Sequence, residues 1–77
     1  MKTVQISLNS IDKVKSFVNT IARFDNDFDL VSGRYVIDAK SIMGIFSLDL
    51  SKPIDLNIYD GDDMDIVIEA LKPYIVE

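Results

Sequence analysis

Val4, Ile6 and Leu8 alternate with Thr3, Gln5 and Ser7, the period-two signature of a strand with one apolar and one polar face. Asn9 or Ser10 can then cap a helix, because their short side chains accept from backbone N–H groups that have no intrahelical partner. Ile11, Val14, Phe17, Val18, Ile21 and Ala22 recur at helical spacing, with Asp12, Lys13, Lys15, Ser16, Asn19 and Arg23 on the opposite face. The pattern stops near Phe24, and Asp25-Asn26-Asp27 forms a polar break. Phe28–Val31 and Arg34–Ile37 flank Ser32-Gly33, a hairpin signal because glycine tolerates the positive φ of such turns. A short, almost wholly apolar helix is predicted over Ser41–Leu48, and Asp49–Pro53 reads as a loop. Ile54, Leu56 and Ile58 alternate with Asp55, Asn57 and Tyr59 as a fourth strand. Asp60–Asp63 turns the chain, and Met64, Val67, Ile68, Leu71 and Ile75 form a last apolar stripe whose regular helix should end near Lys72, ahead of Pro73.

The predicted order is βαββαβα. The first and last strands each keep a polar face, so the three helices must cover the same side of the sheet and leave the other side in water. The expected fold is therefore a two-layer α+β open-faced sandwich, a single domain over residues 1–77. No internal repeat, linker or low-complexity segment interrupts it.

Composition narrows the chemistry. An apolar share of 48% with 27% charged residues is that of a chain able to build a core. There is no Cys, which excludes a disulfide and thiolate chemistry and suits a cytoplasmic setting, and no His, which excludes an imidazole base, ligand or phosphohistidine. The balance of 8 basic against 13 acidic residues, a net charge of −5, argues against nucleic acid or an anionic membrane as partner. No apolar run approaches the roughly 20 residues that span a bilayer, and the N-terminus lacks a signal-peptide core. Asp60, Asp62, Asp63 and Asp65 cluster about Gly61, but a calcium loop needs its glycine at the sixth position and a distal glutamate, so a solvated helix start is expected and no metal. Asp25, Asp27 and Asp29 read as the wet side of a half-buried strand. No phosphate loop, Ser-His-Asp set or paired-carboxylate motif is present, so the chain is expected to be neither an enzyme nor a cofactor binder.

The stretch Ala39-Lys40-Ser41-Ile42-Met43-Gly44-Ile45-Phe46-Ser47-Leu48 resembles the serine-containing segment of HPr, the phosphocarrier of the bacterial sugar phosphotransferase system. Thr20–Leu30 is similar to that family's end of first helix and second strand, and Ile54-x-Leu56-x-Ile58 with Gly61-Asp62 is similar to its fourth strand and turn. The likeness runs from about Val14 to Leu71 and implies the same four-stranded antiparallel sheet under three helices. One departure is specific. The family carries phosphate on a histidine in a G-x-H-A-R-P-A motif at the start of the first helix, where this chain reads Leu8-Asn9-Ser10-Ile11-Asp12-Lys13-Val14. Ser10 falls at the histidine, Asp12 at the arginine and Lys13 at the proline. A serine ester is a far poorer phosphoryl donor than the P–N bond of phosphohistidine, and Asp12 would repel the phosphate that the family's arginine pairs.

The resemblance also marks Ser41. In Gram-positive relatives the matching serine is phosphorylated by a dedicated kinase, and the modified protein binds a catabolite-control repressor partly through the apolar short helix. Carried over, this implies Ser41 as a regulatory phosphorylation site, with Lys40, Ile42, Met43 and Phe46 as partner-binding residues; the alternative is that Ser41 only caps and the apolar residues only pack. Three functions stay open: a regulatory or protein-binding relative of the phosphotransferase system that has lost phosphoryl transfer, an ordinary phosphocarrier using another residue, and an interaction module unrelated to sugar uptake.

Overall fold

A computed structural model describes residues 1–61 and 63–76. Its elements are β1 (Lys2–Ile6), α1 (Ile11–Ile21), β2 (Phe28–Ser32), β3 (Tyr35–Asp38), α2 (Ile42–Phe46), β4 (Ile54–Ile58) and α3 (Met64–Leu71). The predicted βαββαβα order is the observed one. The strands form one antiparallel sheet in the order β1-β4-β2-β3, with β2 and β4 central.

Register follows the apolar alternation. Val4 and Ile6 lie opposite Leu56 and Ile54, while Phe28 and Leu30 lie opposite Ile58 and Leu56. A one-residue slip would turn this whole row into water. The row packs against Val14, Phe17 and Ile21 of α1, Ile45 of α2 and Val67 and Leu71 of α3, all fully buried in one cluster. The other face carries Thr3, Asn57, Asp29 and Asp38 in one row and Gln5, Asp55, Val31 and Val36 in the next. Thr3 Oγ1 donates to Asn57 Oδ1 at 2.7 Å, and Tyr59 OH donates to Asp29 Oδ2 at 3.0 Å. That bond to Asp29 raises the Tyr59 phenol above its usual range, since losing the proton would leave two facing anions.

Four local expectations change. Leu8 is buried but beyond the strand, which ends at Ile6, and Ser7 N–H donates to the Tyr74 carbonyl at 2.9 Å. Ile11 and Ala22 are exposed, although both fall on the apolar pattern of α1. They share with half-buried Val18 one flank of the stripe, while Val14, Phe17 and Ile21 define its centre. The short helix closes at Phe46, with Ser47 as its C-cap. Ile75 leaves the last helix instead of continuing its stripe, and it bridges Ile6 at the edge of β1. Beside it, buried Tyr74 meets Phe17 edge-on at 5.6 Å and hydrogen-bonds Ser16 Oγ.

Asn26, expected in a polar break, is 1% exposed, and its Nδ2 donates to the Tyr59 carbonyl at 2.9 Å. A side chain at Gly61 would come within 3.1 Å of Asn26, so this glycine lets the β4–α3 turn close over the amide. Of the acidic cluster at that turn, Asp63 caps α3 by accepting from Asp65 N–H at 3.0 Å; Asp62 lies outside the described residues. Among the described residues no carboxylate group is arranged to hold a metal.

Candidate functional site

Two serines open two helices in the same way. Ser10 adopts an extended backbone, and its Oγ accepts from Lys13 N–H at 3.1 Å while its carbonyl accepts from Val14 N–H. Ser41 is likewise extended; its Oγ accepts from Gly44 N–H at 3.3 Å and its carbonyl from Ile45 N–H at 3.0 Å. Both hydroxyls are on exposed residues. Asp12 stands in the first turn of α1, whereas the first turn of α2 carries no acid.

The fold brings the start of α1 beside the end of α2. Asn9, Ser10, Ile11, Phe46, Leu50 and Ser51 line an open recess of about 460 Å³ between them. Ile11 is 61% exposed and Phe46 42% exposed, so the rim offers apolar carbon to solvent beside the Ser10 hydroxyl. Met43, at 77%, extends the exposed apolar surface along α2. Of the residues expected to bind a partner, Met43 and Phe46 are therefore accessible, while Ile42 is half-buried and packs on the core. Lys40 Nζ donates to the Phe24 carbonyl at 2.9 Å and lies 5.6 Å from the Phe28 ring centroid, so the cation expected beside Ser41 is held on the β2 side instead.

Gly44 explains how so short a helix seats itself. A Cβ there would lie 3.3 Å from Ile37 Cδ1 and 3.3 Å from Ser41 Oγ, so its absence allows α2 to rest on β3 with the serine cap tucked against the turn. Ile11 and Leu50 were not expected in the site. The one available signal was the position of Ile11 directly after the cap, ahead of the first full turn of the core stripe; nothing local marks Leu50, whose place depends on how the α2–β4 loop folds back.

The family model described as the phosphorylation site of the phosphotransferase-system HPr component matches residues 13–77. The chain belongs to the HPr family. Among solved structures it is similar to HPr-C-His from Thermoanaerobacter tengcongensis at 32% identity and a TM-score of 0.76, over 92% of this chain and 86% of that one. It is also similar to the phosphocarrier protein HPr of Bacillus anthracis strain Ames at 32% identity and a TM-score of 0.71, over 97% and 94% of the two chains. The histidine-containing phosphocarrier protein of Mycoplasma, at 19% identity and a TM-score of 0.69 over 94% and 86%, shares the fold. The HPr-family match begins at residue 13 and so leaves out Ser10 and Asp12. Among the described residues no helix is long and apolar enough to cross a membrane.

Proposed function

We propose that this HPr-family chain is a non-catalytic regulatory or protein-binding member of the sugar phosphotransferase system, without phosphoryl transfer of its own. The observation that carries the reading is the chemistry at the start of α1. The chain has no histidine. A serine caps the helix at the position that the sequence resemblance assigns to the family's phosphoryl carrier, and an aspartate stands in the first turn where that resemblance calls for a cation. A phosphate on Ser10 would meet the Asp12 carboxylate, and its ester bond would not pass phosphate onward.

Ser41 is the regulatory site in this reading. Its hydroxyl, on an exposed residue, caps a helix with no acid in the first turn, so a phosphate of about −1.5 to −2 charge meets the N–H groups of the helix start, with the Asp38 carboxylate, which accepts from Lys40 N–H, in the turn before it. Exposed Met43 and Phe46 then supply the apolar part of a docking surface, with the Ile11 rim continuous with it. The partners are a serine kinase and a catabolite-control regulator, and the setting is the cytoplasm.

Two assays test this. Incubation with enzyme I and phosphoenolpyruvate leaves the protein unlabelled; acid-labile phosphate on it would restore the ordinary phosphocarrier. Incubation with the serine kinase and ATP labels the wild type and not Ser41→Ala. Equal labelling of both, or of neither, removes the regulatory reading, and a stable partner recovered without any phosphorylation would favour an interaction module outside sugar uptake.

A further inference from the structure

The two edges of the sheet are finished differently. At β1 the C-terminal segment lies alongside: Val76 N–H donates to the Gln5 carbonyl at 2.9 Å, and Ile75 bridges Ile6. At β3, among the described residues, no segment outside the β2 ladder hydrogen-bonds to Val36. An uncovered edge of this kind is a template for another strand.

The register shows which groups it offers. Ser32 and Tyr35 close a two-residue hairpin in which only Gly33 has positive φ, at 60°. At the other end, Ala39 N–H donates to the Phe28 carbonyl at 2.9 Å. Bonded pairs alternate with unbonded ones in an antiparallel ladder. Tyr35 and Ile37 therefore turn their N–H and C=O groups to β2, and Val36 and Asp38 turn theirs outward. The Asp38 carbonyl already accepts from Ser41 N–H at 3.0 Å, which leaves the Val36 pair and the Asp38 N–H as the exposed backbone groups.

We propose that a second copy of this chain pairs antiparallel along β3, about a twofold axis at Val36. Val36 of each copy then exchanges both backbone bonds with Val36 of the other. Asp38 comes opposite Arg34 of the second copy, twice, on the open face. Tyr35 comes opposite Ile37 on the helix side, an aromatic against a β-branched residue. The alternative axis at Ile37 would set Asp38 against Val36 and leave Arg34 without an acid, so charge selects the first register. All four positions are available: Arg34 and Asp38 are exposed, Tyr35 is 69% and Val36 63% exposed. The two sheets join into one of eight strands. A single short strand pair buries less than a standard interface of about 800 Å² per partner, so the dimer is a weak one that forms at high protein concentration.

Sedimentation and amide exchange on the full chain test this from micromolar to millimolar protein. The expected result is a mass that rises above 8.7 kDa toward twice that value, with the Val36 and Asp38 amides gaining protection as concentration rises. The Tyr35 and Ile37 amides, bonded within the monomer, stay protected at every concentration. Val36→Lys sets two cations face to face and abolishes association without changing the melting curve of dilute protein; Arg34→Asp weakens it, and Arg34→Asp with Asp38→Arg recovers it. A chain that stays monomeric at millimolar concentration overturns the proposal, and so does a dimer that survives Val36→Lys.

Discussion

Ser10 and Ser41 do the same local work and differ in what surrounds them. Each is an extended, exposed residue whose hydroxyl accepts from an N–H three residues on. Around Ser10 the chain has put an acid in the first helical turn and a helix of 11 residues anchored by Val14, Phe17 and Ile21. Around Ser41 there is no first-turn acid and a helix of 5 residues with one fully buried anchor, Ile45. A capping bond thus says where a helix begins and nothing about whether a phosphate is welcome there. The neighbouring charge and the mechanical weight of the helix decide that.

The largest test of the contrast is chemical. Kinase labelling should be lost entirely in Ser41→Ala and retained in Ser10→Ala; reversal of the two would exchange the roles assigned to the serines. Next in size is the anchoring of the two helices. Phe17→Ala should cost about 3–5 kcal/mol in denaturant unfolding, a large share of the stability of a small domain. Met43→Ala, at an exposed position, should stay within about 0.5 kcal/mol while weakening capture of the phosphorylated protein's partner. A strongly destabilised Met43→Ala would mean that α2 is packed, not presented.

The caps themselves come third. Ser10→Ala should lower stability by about 1 kcal/mol, and Ser41→Ala by less, because the shorter helix contributes less cooperative structure and its capping bond is longer. Equal losses would erase that distinction. The smallest effect concerns the loop after α2. Asp49 Oδ1 accepts from Ser51 Oγ and Ser51 N–H, at 2.6 and 3.0 Å, and these bonds hold its carboxyl below the usual carboxylate range. The stabilisation is complete above that range and fades as pH falls through the lowered value. Ser51→Ala should therefore flatten slightly the acid end of the stability profile, with no change near neutrality.

Much of this was legible along the chain. Strand periods, the Ser10 and Ser41 caps, the glycine turn at 33 and the acidic start of α3 are set by neighbours within a few residues, and the elements formed where those signals stood. The one-sided placement of the helices was equally readable, because strands with one polar face permit no other packing. The errors share a cause. Ile11, Ala22 and Ile75 carry the right polarity at the right spacing, yet a stripe has flanks and ends, and only the packed sheet shows which positions reach it. Asn26 stood in a polar break and is a buried donor over which the Gly61 turn closes. Lys40 looked like a neighbour of Ser41 by sequence, and a carbonyl 16 residues back claims its ammonium.

By itself, then, the sequence determined the order of elements, the face that each strand buries, the absence of any imidazole to carry phosphate and the presence of two capping serines. The tertiary structure decided that Ile11, Phe46 and Leu50 meet beside Ser10, that Lys40 is spent elsewhere, and that one sheet edge is covered while the other is open. Local propensity acts through bonds between near neighbours, so it can be read residue by residue. Surfaces and edges are shared by segments distant along the chain, and they exist only once hydrophobic burial has brought those segments together.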